Sequence, residues 1–274
     1  MTSVHNLPPA PADPRAVLDS AALPEPARVW LREAAASVAV RPNAIRVLFP
    51  AARRRCGQQP LDAQWSVDEA ARAVLLISLP QRGQDLADQV AVLFRHGDPA
   101  EQRAVLKTLP LLDDREAAPD GAFGEMALTL VREALRGAGA DVLEAALGPY
   151  AAARLPDPEY RRAVLGCVLG GIPLDRVAGL DTRADRELAR MLADLAHDRI
   201  AAAQDVPACV WPLVRAFPDV ADLLAARARV LASTVPDTAA RALAAAEELA
   251  AAQELAAAQE LATADGLAAP REEA

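Results

Sequence analysis

Two groups of polar residues stand where a helix would turn its apolar face. Asp68 and Arg72 lie four residues apart in the run Ser66-Val-Asp-Glu-Ala-Ala-Arg72. On a helix they reach each other and share a face with Leu75 and Leu79. Polar groups on such a stripe need each other, a neighbouring helix or a ligand. A structural ion pair that fixes helix register is one reading, and a ligand site is the other. Farther along, Leu188, Met191, Leu192 and Leu195 recur at i, i+3, i+4 and i+7, which predicts an amphipathic helix from Ala184 to Ala203. At about 100° per residue, Arg199 falls inside that stripe and His197 on the opposite side. A guanidinium pointing inward requires an anion, so Arg199 is expected to be buried against Asp68, Asp175 or Asp181.

Asp194, His197 and Asp198 have the i, i+3, i+4 spacing of a metal or proton-transfer site. The same residues also suit a solvated face with Arg190 paired to Asp194. No second His or Cys completes a zinc-like set, so no metal and no cofactor is implied. Tyr150 and Trp211 are scarce aromatics in a chain only 3% aromatic. Core packing is their default role, and a polar tip lining a pocket is the alternative. The candidate ligand-binding residues are therefore Asp68, Arg72, Tyr150, His197, Arg199 and Trp211. No catalytic residue is assigned, because no Gly-rich phosphate loop, G-x-S-x-G elbow or His-Cys pairing accompanies them.

The elements that carry these residues read as helices. Pro26, Pro42, Pro99, Pro158, Pro173 and Pro207 each precede a helix-forming run. Asp98 and Asp157 are natural N-caps, and Ser66 to Glu69 is a capping box. Val74 to Ile77 has the composition of a buried strand, but the capping box and the uninterrupted run from Ser66 to Leu79 favour a helix. The count is ten to twelve helices joined by short Gly/Pro/Asp turns. This is an all-α fold of stacked antiparallel helix pairs, with a HEAT-like α-solenoid admitted by the pairing although no repeat is visible.

With 53% apolar and 24% charged residues among 274, the chain can bury a substantial core, as one large helical domain or two closely packed halves. A formal charge of −9 and a pI near 5.0 argue against a nucleic-acid partner, which would need clustered Lys and Arg. Only Arg53-Arg54-Arg55 is locally basic, at the expected C-terminus of a helix begun near Pro42. Cys56, Cys167 and Cys209 are odd in number and widely spaced, which suggests neither disulfides nor zinc and fits a reducing cytoplasm. No run is long enough for a transmembrane segment.

The domain reading is a proline-rich disordered arm over 1–14, an all-α domain over 15–235 and a low-complexity alanine-rich helical tail over 236–274. In the tail, Leu243, Leu249, Leu255 and Leu261 are six residues apart. Each step falls about 120° short of two full helical turns, so the leucines form no single stripe and an exposed helix is expected.

The run Gly179-Leu-Asp-Thr-Arg-Ala-Asp-Arg-Glu-Leu-Ala-Arg-Met-Leu-Ala-Asp-Leu-Ala-His-Asp-Arg199, followed by Val206-Pro207 and Trp211, resembles the C-terminal signature of the EboA-domain family. Trp65 with Asp68, Arg72 and Leu75-Leu76, then Leu106 to Leu112, then Pro149-Tyr150, are similar to that family's other blocks in the same order. The resemblance covers roughly residues 25–220. It implies a bacterial protein of gene clusters for assembly or traffic of a secondary metabolite. It also implies a small metabolite, or partner enzymes of the same cluster, as what the chain binds. The chain departs from the family pattern at Gly148, where an Asn precedes Pro-Tyr. It departs again at Tyr160-Arg161-Arg162 and Gly166, where the family carries Trp-Asn-Gln and a Lys, and near Glu125, where an Arg-Thr-Asn run is reduced to Thr129.

The reading that follows is a non-enzymatic binding or scaffold protein. One alternative is an enzyme using Asp68, Arg72, His197 and Arg199 in a cleft on an acidic or phosphorylated small molecule. The other is an α-helical protein–protein interaction module.

Overall fold

The computed structural model describes residues 12–21, 23–62, 64–116, 121–137, 139–234, 240–242, 244–245, 247 and 249. Among these the chain is all-α, with fourteen α-helices, two 3-10 turns and no strand. The excess over the expected ten to twelve comes from short helices of four to seven residues, α1 (Pro14–Ser20), α8 (Ala140–Ala146), α9 (Pro149–Arg154), α11 (Leu180–Arg183) and α13 (Val210–Arg215). Such segments are too short to express a 3.6-residue period. The stretch from Val74 to Ile77 is helical, inside α4 (Val67–Ile77).

The chain divides into two compact units, residues 1–163 with 175–183, and residues 164–174 with 184–274. In the first, α2 (Glu25–Val40), a 3-10 turn at Pro42–Ala44 and α3 (Ile45–Cys56) lead into α4, which is buried along nearly its whole length. Helices α1, α2, α3 and α6 (Pro99–Asp113) all pack on α4, and α5 (Gly83–His96) packs on α6 and α7 (Ala122–Gly137). Most contacts run to the next helix or the next but one, as in stacked helical hairpins, while α1 reaches α4 and α6 reaches α9 (Pro149–Arg154) across three positions. Asp98 caps α6, its carboxylate accepting from the Glu101 N–H while Glu101 accepts from the Asp98 N–H, as the sequence predicts. Ala12, just before α1, accepts a hydrogen bond from Trp65 Nε1 at 3.2 Å and donates one to Gln64.

The second unit holds α12 (Arg186–Ala201), α13 and α14 (Pro218–Thr234), which pack on one another. Its core face on α12 is Leu188, Ala189, Leu192, Ala193, Ala196 and Ile200. Alanines supply half of that face, turning it by roughly 80–90° from the stripe that the large apolar residues alone define. The tail departs from its expected exposure in the same way. Ala242, Ala245 and Leu249 are buried, and Arg241 pairs with Asp205 at 3.0 Å. These three residues sit at i, i+3 and i+7, so a stripe exists once alanine is counted as apolar. Leu243, Leu255 and Leu261 lie outside the described residues, as do residues 1–11 of the expected arm. Leu249→Ala is expected to lower the stability of the second unit by about 2–4 kcal/mol. Thermal unfolding of the variant against the parent measures this, and an unchanged melting temperature would place Leu249 outside the core.

Candidate functional site

Helix α4 turns charged residues into the interior of the first unit. Arg72 donates to Asp68 at 2.6 Å and to the Phe49 carbonyl at 3.2 Å, and its guanidinium lies over the Phe49 ring, 5.6 Å from the centroid. A third partner, Glu101 Oε1, is 3.8 Å away. The other Asp68 oxygen accepts from the Ser66 hydroxyl at 2.8 Å. The two residues singled out by spacing are thus brought together as a buried ion pair whose polar atoms are engaged by the fold. Cys56 lies nearby. Burial, with the Asp68 carboxylate adding and Arg72 offsetting, pushes its thiol up to about 11, so it stays protonated and unreactive at neutral pH.

One residue on, Glu69 faces α6. Its Oε1 accepts from Arg103 at 2.8 Å, its Oε2 from Lys107 at 2.8 Å and from the Ser66 N–H at 3.1 Å. Burial alone would raise the Glu69 pKa, but Lys107, the Ser66 N–H and Arg103 outweigh it and hold the carboxyl below its ordinary range. Glu101 behaves oppositely. Burial and the Asp98 charge lift it, against the hydrogen bond from the Asp98 N–H and the Arg72 charge.

Arg103 and Lys107 also line a cleft of about 490 Å³, where Lys107 donates to the Gln64 carbonyl at 2.8 Å as well. Its lining includes Trp65, Arg103, Lys107, Ala145, Pro149 and Val177. Asp141 and Glu144, on α8, reach across to Arg103 at 3.3 Å and to Arg176 at 3.1 Å. The far wall, residues 175–178, is fixed by the segment that follows it. Ala178 donates to the Leu147 carbonyl, and its own carbonyl accepts from the Tyr160 hydroxyl at 2.7 Å. Gly179 then turns with φ +76°, where a Cβ would stand 2.8 Å from the Ala152 Cβ, so only glycine fits. Arg183, its side chain 8% exposed, donates to the carbonyls of Ala151, Ala152 and Leu155 at the end of α9, pairs with Asp157 and stacks on Tyr160 at 4.2 Å. Gly148 also lines the cleft and is the N-cap of α9.

The remaining sequence-predicted residues fall elsewhere. Tyr150 is buried, its hydroxyl 3.4 Å from the Gly124 carbonyl. In the second unit, His197 is 22% exposed, with Nδ1 3.5 Å from Asp198. Asp194 is held by Arg190 and Arg227 instead, and no metal-binding group of three occurs among the described residues. Trp211 lines a pocket of about 180 Å³ with Asp205 and Arg241. Arg199 corrects its expectation. It is half-buried and donates to the Asp205 carbonyl at 2.8 Å rather than to any carboxylate among the described residues, because the alanine-built face of α12 leaves it on the flank. Arg103, Lys107 and Glu69 were legible by a different signal. Two cations at i, i+4 on one helix repel each other and are favoured by a carboxylate from another element.

Two outcomes follow. Arg199→Ala should cost about 1 kcal/mol or less, whereas Glu69→Gln, which strands two half-buried cations, should cost about 2–4 kcal/mol. Because the folded pKa of Glu69 is depressed, its contribution is present above the ordinary carboxyl value of 4.5 and lost as pH falls through the lower folded value. Below that point the stability of the parent should therefore fall toward that of Glu69→Gln in pH-dependent denaturant titrations, with the raised Glu101 working in the opposite sense.

The family model described as metabolite traffic protein EboA matches residues 34–215. No curated protein and no solved structure matches the chain. The match spans the α4 network, the cleft and the Gly179–Arg183 segment that fixes its wall, and on it the chain belongs to the EboA family.

Proposed function

We propose that the chain is a non-enzymatic binding protein that holds a small molecule in the cleft of its first unit, in the assembly or traffic of a bacterial secondary metabolite within the cytoplasm. The observation that supports this most is the build of the cleft. Trp65, Ala145, Pro149 and Val177 offer apolar surface, and Arg103 and Lys107 offer donors fixed in place by the buried carboxylate of Glu69. Charged residues, among them Asp141, Glu144, Asp175 and Arg176, share the lining with this apolar surface, and a concavity that joins apolar area to polar groups held in place can take a small polar molecule. The family description, a metabolite traffic protein, agrees with that use. Asp68, Arg72 and Tyr150 act from behind the cleft, as the frame that sets α4 and α9. The enzyme alternative gains less support, since Asp68 and Arg72 are engaged with each other, Phe49 and Ser66.

Native mass spectrometry of the protein purified from its own host tests the reading. The parent is expected to carry a retained small molecule. Ala145→Phe, which fills the cleft from α8, and Lys107→Met, which removes one anchored donor, should both lose it while keeping a cooperative melt. Equal retention by parent and both variants would move the ligand elsewhere, and an unliganded parent would remove the support for a carrier.

A further inference from the structure

Between Ala34 and Leu61 the chain carries five arginines, Arg41, Arg46, Arg53, Arg54 and Arg55, and no acidic residue, within a protein of formal charge −9. All five are exposed. Arg41 meets the Ser37 hydroxyl at 3.3 Å, and none of the five forms an ion pair among the described residues. Interaction with the C-terminus of α3 accounts for Arg53, Arg54 and Arg55 in its last turn. It does not account for Arg41 and Arg46 at the other end of the helix. Nor does it account for Val40 and Val47, which are 80% and 75% exposed, the two most exposed large apolar side chains described.

Helix α3 turns Ile45, Phe49, Ala52 and Cys56 to the core. At about 100° per residue, Val47, Pro50 and Arg54 then point directly outward, with Arg46 and Arg53 on one flank and Arg55 on the other. The outer face is an apolar strip edged by guanidiniums. We propose that this α2–α3 face docks on the surface of an anionic phospholipid membrane, with Val40 and Val47 at the headgroup boundary and the arginines on lipid phosphates.

Charge complementarity selects the occupant. Five exposed cations with no acidic neighbour in sequence favour an anionic partner, and a second copy meeting the same face across a two-fold axis would bring five more cations against them. Single-stranded nucleic acid favours aromatic stacking platforms, whereas this face presents isolated aliphatic side chains between arginines, the composition of an interfacial helix. No described helix is long and apolar enough to cross a membrane, so the contact is peripheral.

The test is co-sedimentation of the full chain with vesicles of phosphatidylcholine alone and of phosphatidylcholine mixed with phosphatidylglycerol, at low and at physiological salt. The protein should pellet with the phosphatidylglycerol vesicles only, and less so as salt rises. Replacing Arg53, Arg54 and Arg55 together by Gln should reduce that partitioning by more than about tenfold. Val47→Asp should reduce it as well. All four positions are exposed, so the variants should keep a cooperative melt, with at most the small fall that loss of the charges at the α3 C-terminus brings, and Arg136→Gln, on α7, should bind as the parent does. Equal binding to both vesicle types, no binding to either, or undiminished binding by the variants would overturn the proposal. Retention on immobilised RNA without vesicle binding would overturn it in favour of a nucleic-acid face.

Discussion

A helix buried on all sides that nevertheless carries two carboxylates and a guanidinium in its first turns is the constraint on which the first unit depends. Ions removed from water are tolerated only when opposite charge and hydrogen-bond geometry replace the lost hydration. Around α4 the balance closes, with Asp68, Glu69 and Glu101 set against Arg72, Arg103 and Lys107. The partners from outside the α4 capping segment come from α3, through the Phe49 carbonyl, or from α6. The register of those helices is therefore set by electrostatics as well as by packing. A slip of α6 by one turn would put Lys107 where Arg103 stands and bring Leu111 to the place of Lys107, leaving Glu69 short of one cation.

The same network gives the cleft its chemistry. Cations on a flexible stem at a pocket wall would ordinarily spend their donors on water and lose side-chain entropy on meeting a ligand. Here Glu69 holds both, so their place on the cleft wall is set by the fold. The opposite wall is held by different means. Gly179 admits a backbone conformation and a close approach that a Cβ would forbid, and Arg183 satisfies carbonyls at the end of α9 that would otherwise be unpaired. Part of the signature run that marks the family is thus explained as architecture around the cleft.

Much of this was legible in the sequence, for reasons that can be assigned. Proline positions and the Asp98 cap located helix starts because both act within one turn, and the Asp68–Arg72 pair was legible because both partners lie on one helix. Glu69 was recognised only as part of a capping box, since its two cations are more than thirty residues away. The face of α12 was misjudged because large apolar residues were given all the weight. Leu195 and Met191 are half-buried while Ala189, Ala193 and Ala196 lie in the core, so in an alanine-rich chain the small residues mark where helices approach. The tail repeats the lesson with Ala242, Ala245 and Leu249.

The order in which the chain is made gives the division into units a further meaning. Residues 175–183 belong to the first unit, yet they follow residues 164–174, which belong to the second. During synthesis the first unit therefore cannot be completed when Ala163 has emerged. At that stage α9 lacks the guanidinium that caps it and the cleft lacks its far wall. A folding chain must wait for Arg183, and by then the first segment of the second unit has also been made. Neither unit corresponds to one continuous stretch of gene, so a break anywhere between Ala163 and Arg183 parts the cleft from the segment that closes it.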